Sequence, residues 1–175
     1  FYIFKALTQK LSLMKKITFL LILLMTFLVC PNVMAQFGCD SAVVITDGYT
    51  EDNITTPGSG GVEDWNDNPD GSCGVDGLYW DDDVYLFEYT AGAVDEEISM
   101  TVYTRNTYTG LGIFANCDGT SFSNCLGAVG AGFTSDFEQS VDAVVGAGET
   151  VYVAVGQWGS PNDLDFDVTD FTATP

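Results

Sequence analysis

Val141-Asp-Ala-Val-Val-Gly-Ala-Gly-Glu-Thr-Val-Tyr-Val-Ala-Val155 is the stretch whose reading decides the fold class. Val141, Ala143 and Val145 alternate with Asp142 and Val144, and Val151, Val153 and Val155 alternate with Tyr152 and Ala154. Successive side chains of a strand point to opposite faces, so a period of two marks a β-strand and excludes the wider apolar stripe of a helix. Gly146-Ala147-Gly148 is a turn signal, and Val145–Val151 reads as a β-hairpin.

The same period runs outward from there. Val84 and Leu86 oppose Tyr85, Phe87 and Tyr89, while Ile98, Met100 and Val102 alternate with Ser99, Thr101 and Tyr103. Leu164, Phe166 and Val168 alternate with Asp165 and Asp167. Leu111 and Ile113 follow Gly110, and Ala42–Thr46 is a short apolar run. Pro57–Gly61, Asn106-Thr107, Asp118-Gly119 and Gly159–Asn162 supply turns between the runs. No helical stripe occurs after residue 36. The expected fold is all-β, an antiparallel β-sandwich or jelly roll of about eight strands.

The first 35 residues read differently. Met14-Lys15-Lys16 precedes an apolar run from Phe19 to Val29, and Val33-Met34-Ala35 places small residues at −3 and −1 of a cleavage site. This is the layout of a secretory signal peptide over 14–35, with 1–13 an upstream translated segment. The apolar run is too short for a membrane span, and Pro31 and Asn32 end it. Val29 stands where a lipobox needs a small residue before Cys30. Residues 36–175 are then a single domain, and a stop directly after a strand-like run is what a piece cut from a longer secreted protein would show.

Removing the leader removes all four lysines. Arg105 remains against 25 acidic residues, a net charge of −24. Such a surface repels nucleic acid and anionic membrane, since phosphate contacts need Lys and Arg. The abundance of aromatic and β-branched residues excludes an acidic disordered tail.

Cys39, Cys73, Cys117 and Cys125 remain after Cys30 leaves with the leader. An even count in an exported domain implies two disulfides. Cys117 and Cys125 flank a turn-rich loop, which suggests that they pair and that Cys39 pairs with Cys73. The spacing does not suit zinc knuckles, and the chain has no histidine.

Together these features resemble the bacterial pre-peptidase C-terminal (PPC) domain of secreted Bacteroidetes proteins. Cys39-Asp40-Ser41-Ala42 matches the opening Cys-x-x-Ala. Cys73 precedes the aromatic strand Asp83-Val84-Tyr85-Leu86-Phe87-Glu88-Tyr89-Thr90. Tyr108–Phe114 matches a following strand, without its Asp. Cys117 and Cys125 match a local cysteine pair, and Ala147–Gly156 matches the last hallmark strand. The resemblance spans about residues 39–171. It implies a non-catalytic β-sandwich attached to the other domains of a larger secreted protein, aiding solubility or binding to a substrate or matrix.

Chemistry is limited by what is missing. Without histidine, and with the cysteines committed to disulfides, Ser-His-Asp and Cys-His arrangements are ruled out. Two carboxylates could in principle serve a hydrolase, but with 25 acids a suitable separation arises by chance. The chain therefore reads as no enzyme.

For metals, residues 63–83 are rich in Asp and Asn. Asn66, Asn68, Asp70 and Gly71 follow part of a Ca²⁺-loop spacing, but Gly77 stands where the loop needs Glu. Asp76, Asp81, Asp82 and Asp83 would have to complete a Ca²⁺ site. The competing reading is a loop whose Asn, Asp and Gly make turns.

Trp65 and Trp158 stand in turn-rich segments. There they would either contact a ligand or pack over the ends of the sandwich, whereas Trp80, just before a strand, suits the core. Gly127–Gly132 lacks the Lys of a phosphate loop, and Asn53-Ile54-Thr55 is a glycosylation sequon. The function expected is an extracellular or cell-surface accessory module that binds a glycan or matrix protein, or acts as a solubilising spacer. The alternative is an adhesin or surface-layer repeat.

Overall fold

A computed structural model describes residues 38–56, 80, 83–119, 121–158 and 164–175. The chain divides into two compact units, Phe1–Met34 and Ala35–Pro175, and every described residue belongs to the second. Asp70, Asp76, Asp81, Asp82, Trp65 and Cys73 lie outside the described residues, as do the leader and the turn at Pro57–Gly61. No helix among the described residues is long and apolar enough to cross a membrane.

Among the described residues a 3₁₀ turn, Cys39–Ser41, is followed by nine strands. They are β1 (Val43–Val44), β2 (Glu51–Thr55), β3 (Asp83–Thr90), β4 (Glu96–Thr104), β5 (Thr109–Asp118), β6 (Ser121–Ala131), β7 (Phe137–Val145), β8 (Thr150–Gln157) and β9 (Asp165–Thr174). One sheet has the order β1-β3-β8-β5-β6 and the other β2-β9-β4-β7. All ladders are antiparallel except β1 with β3, where Val43 lies beside Phe87. The expected antiparallel strand at Ala42–Thr46 is thus two residues long and parallel. β2 and β6 had no clear alternation to reveal them. In β2 only Ile54 is buried, and β6 is rich in glycine and serine.

The period of two becomes a sandwich-like core. Phe87, Leu111, Ile113 and Val153 from one sheet meet Ile98, Met100, Phe166 and Phe171 from the other, all fully buried. Each such side chain contributes about 1.5–3 kcal/mol by leaving water. Phe87 and Phe166 touch across the sheets edge-on, with centroids 6.3 Å apart at 89°.

The expected hairpin at Val145–Val151 is not formed. β7 pairs with β4 in one sheet, and β8 pairs with β3 and β5 in the other. The turn at 146–149 therefore carries the chain from sheet to sheet, so the two apolar faces meet across the core rather than lying side by side. Gly148 takes φ 72, and the turn is pinned by Gly148 N–H to the Gly92 carbonyl at 2.8 Å. At the opposite margin β6 approaches β7. A Cβ on Gly127 would sit 2.7 Å from the Asp142 carbonyl oxygen, so this approach requires glycine.

The first sheet is apolar on both faces. Its outer face carries Val84, Leu86, Phe114, Phe122 and Ala154, with Trp80 buried among them. Trp80 meets Phe114 edge-on at 5.7 Å, and Phe114 stacks on Phe122 at 4.8 Å. Gly112 is small because a Cβ there would lie 2.7 Å from the Phe114 ring.

The cysteine pairing differs from expectation. Cys39 bonds Cys117, with Cα atoms 5.7 Å apart. In the β5–β6 ladder Cys117 stands opposite Phe122, and Cys125 opposite Phe114. That stagger of three residues amounts to about 10 Å along the strand, beyond the roughly 7 Å that a disulfide can bridge. Cys39 instead reaches Cys117 because its N–H bonds the Gly119 carbonyl at 3.0 Å. Gly38, at φ 122, allows the close approach. Cys39 is therefore not bonded to Cys73.

Candidate functional site: an aromatic cluster on converging loops

The ladders bring three distant segments to one end of the molecule. Thr109, the first residue of β5, stands opposite both Gln157 at the end of β8 and Ala131 at the end of β6. The residues just beyond those strand ends must then be neighbours. Tyr108 N–H donates to the Gly132 carbonyl at 2.6 Å, and Trp158 N–H donates to the Tyr108 carbonyl at 2.9 Å. Tyr108 adopts φ 55, an uncommon left-handed conformation for a bulky residue, held by these two bonds.

This backbone arrangement gathers three rings. Tyr108 meets Phe133 edge-on at 5.0 Å and Trp158 edge-on at 5.1 Å. Phe133 is 88% exposed and Trp158 39%. A solvent-facing Phe and a solvent-facing Trp, each packed on Tyr108, form the kind of apolar surface that marks contact sites. The sequence singled out Trp158 as either a ligand contact or a packing residue, and here it is both partly exposed and packed edge-on against Tyr108. Tyr108 and Phe133 were missed. The one available signal was an isolated aromatic inside a turn-rich segment, and nothing local ties the three positions together.

Beneath the rings the core turns polar. Inward alternation places Thr104, Thr109, Gln139 and Gln157 at this end of the interlayer, all buried. Gln139 Nε2 donates to Thr109 Oγ1 at 2.9 Å, and the Thr104 and Thr109 hydroxyls are 3.3 Å apart. The Oε1 atoms of Gln139 and Gln157 are buried without a hydrogen-bond donor among the described residues. Such acceptors are rare and costly in folded proteins.

Adjacent loops are tied down by charge. Arg105 Nη1 bonds Asp165 Oδ1 at 2.8 Å, and Nη2 bonds Asp167 Oδ2 at 2.5 Å. Its guanidinium also lies 5.6 Å from the Tyr103 ring centroid. Asp167 Oδ1 accepts the Asn53 N–H at 2.6 Å, and the Arg105 contact holds the Asp167 carboxyl below the usual range. Asp165 N–H donates to Asn106 Oδ1 at 2.7 Å, and Leu164 N–H to Thr56 Oγ1 at 3.1 Å. The β4–β5 and β8–β9 connections and the start of the β2–β3 connection thus meet at this end.

Tyr49 bonds Glu51 and Tyr89 bonds Glu96 through their hydroxyls. Burial first, then the Glu96 contact, pushes the Tyr89 hydroxyl up to about 12. Of the expected metal ligands only Asp83 is placed, opening β3 opposite Gln157. Among the described residues no group of three or more His, Cys, Asp or Glu side chains is arranged to hold a metal. The sequon residue Asn53 is exposed on β2, at φ 58 in a break of the ladder. Comparison with family models, with curated proteins and with solved structures finds no match.

Proposed function

We propose that this chain is a non-catalytic, exported binding module whose contact surface is the Tyr108–Phe133–Trp158 cluster. The observation that carries the reading is three aromatics brought from separate strands to one exposed end, two of them open to solvent. Large rigid rings give contact area at little conformational cost, which is why they dominate binding hot spots.

Export is supported by the leader-like residues 14–35 and by the Cys39–Cys117 bond, which persists in oxidising compartments. For the second bond the reading pairs Cys125 with Cys73, the only other cysteine outside the leader. That pairing would tie the acidic 57–82 segment to the outer face of the first sheet. The likeness to PPC domains remains part of the proposal, although its local cysteine pair does not form here.

The finer fold proposed is a jelly roll. Counting from β2, the orders β2-β9-β4-β7 and β3-β8-β5-β6 nest the first strands beside the last. This is the pattern of a long hairpin rolled into two sheets, and jelly rolls include many lectin domains. The test is a glycan and matrix-protein array probed with the purified protein and with Trp158→Ala, each with and without Ca²⁺. Binding that Trp158→Ala abolishes supports the reading. Binding unaffected by that change moves the contact surface elsewhere.

A further inference from the structure

Building on that reading of the aromatic end, we infer that its ligand is an uncharged glycan rather than an anionic sugar or a peptide. Three observations converge on this choice. The first is ring geometry. Tyr108 meets Phe133 at 65° and Trp158 at 81° between ring planes. Phe133 is 88% exposed and Trp158 39%, so both rings present surface to solvent, and the faces of exposed aromatics stack on the C–H surface of pyranose rings.

The second is charge. The only basic side chain outside the leader, Arg105, is spent on Asp165 and Asp167. Among the described residues no free cation remains to recognise a sulfate or uronate, and the 25 carboxylates of the chain repel one. The same carboxylates would draw basic peptides from a distance. Within the cluster itself, however, the exposed rings of Phe133 and Trp158 are neutral, and Arg105 offsets one of the two carboxylates, Asp165 and Asp167, that it bonds.

The third is the unmet hydrogen-bonding capacity next to the rings. Gln157 directly precedes Trp158, and Gln139 is bonded to Thr109, which directly follows Tyr108. Both Gln Oε1 atoms are buried and lack a donor among the described residues. An acceptor in that state calls for an uncharged donor, namely a hydroxyl or a water that a hydroxyl orders. Polyols supply such donors beside an apolar ring face. Uronates and sulfated sugars carry hydroxyls too and are disfavoured by their charge, while a lysine ammonium would bring a charge into a desolvated site.

The experiment titrates the purified protein calorimetrically with neutral hexasaccharides of gluco-, manno-, xylo- and galacto-configuration, with an oligogalacturonate and with a lysine decapeptide. Each is run at about 20 mM and about 500 mM NaCl, where the screening length falls from roughly 20 Å to roughly 4 Å. The inference expects at least one neutral hexasaccharide to bind with an affinity that salt leaves unchanged. Phe133→Ala and Trp158→Ala should each weaken it at least tenfold, about 1.4 kcal/mol, with unchanged circular dichroism. Gln139→Leu, which removes one acceptor, should weaken it without altering ring exposure.

Salt-sensitive binding of the decapeptide alone, lost in Trp158→Ala, would overturn the glycan assignment and leave the binding end in place. Neutral-sugar binding indifferent to both aromatic substitutions would overturn the site. No binding by any probe at either salt, together with an empty array, would overturn both the assignment and the binding reading beneath it.

Discussion

Replacing Cys39 and Cys117 together by alanine removes a cross-link between residues 78 apart in sequence. In the chain-entropy description, a loop of that length restricts the unfolded chain by about 15 cal/mol/K, or about 4.5 kcal/mol at room temperature. If Cys73 holds Cys125, the shortest covalent path from Cys39 to Cys117 falls to roughly 43 residues, and the contribution to about 4 kcal/mol. For a domain of roughly 140 residues that corresponds to a fall in Tm of about 14 °C. The assay is thermal unfolding by circular dichroism, without reductant, for wild type and the double variant. Were the pairing instead Cys117 with Cys125 and Cys39 with Cys73, the same double variant would break both bonds, and the formula gives about 6 kcal/mol, or about 21 °C. A double variant melting within a few degrees of wild type would refute the reasoning. So would a non-reducing peptide map that joins Cys117 to Cys125.

Three further outcomes are expected. Trp80→Ala, which opens the buried outer layer beside Phe114, should cost about 3–5 kcal/mol in a urea unfolding curve; a cost under about 1 kcal/mol would show that layer to be dispensable. Because Arg105 lowers the Asp167 pKa, the ionised pair stabilises the fold above the carboxylate's unfolded value near 4, and that stability is lost as pH falls through the lower folded value. Arg105→Gln should therefore be less stable than wild type at pH 6 and converge with it near pH 2, by parallel denaturant titrations. Tyr89, buried and bonded to Glu96, has its pKa raised to about 12, so its neutral form stabilises the fold below pH 10 and that share is lost as pH rises through 12. An absorbance titration comparing wild type with Tyr89→Phe should assign a tyrosine transition near pH 12 to this residue, and assignment near pH 10 would contradict the contact.

The secondary structure was largely written in local alternation. β4, β7 and β8 follow their period of two, and β3 divides as its residues suggested, with Val84 and Leu86 on one face and Phe87 and Tyr89 on the other. What alternation does not carry is which strand lies beside which. The apolar faces of β7 and β8 fit either a hairpin or a crossing between sheets, and the second sheet settles the matter by pairing β7 with β4. β2 and β6 escaped notice because an edge strand with one buried residue and a strand of Gly, Ser and Asn owe their form to neighbours rather than to propensity.

The candidate site divides in the same way. Composition determined the acidic excess, the lack of histidine and the four cysteines after residue 35, because these follow from the list of residues alone. Trp158 could be picked out as an aromatic in a turn. Its partners Tyr108 and Phe133, the polar floor of Gln139 and Gln157, and the choice of Cys39 for Cys117 depended on register. Thr109 stands opposite Gln157 and Ala131 only after long-range ladders form. Contacts between residues far apart in sequence are set by that packing, and no local pattern encodes them.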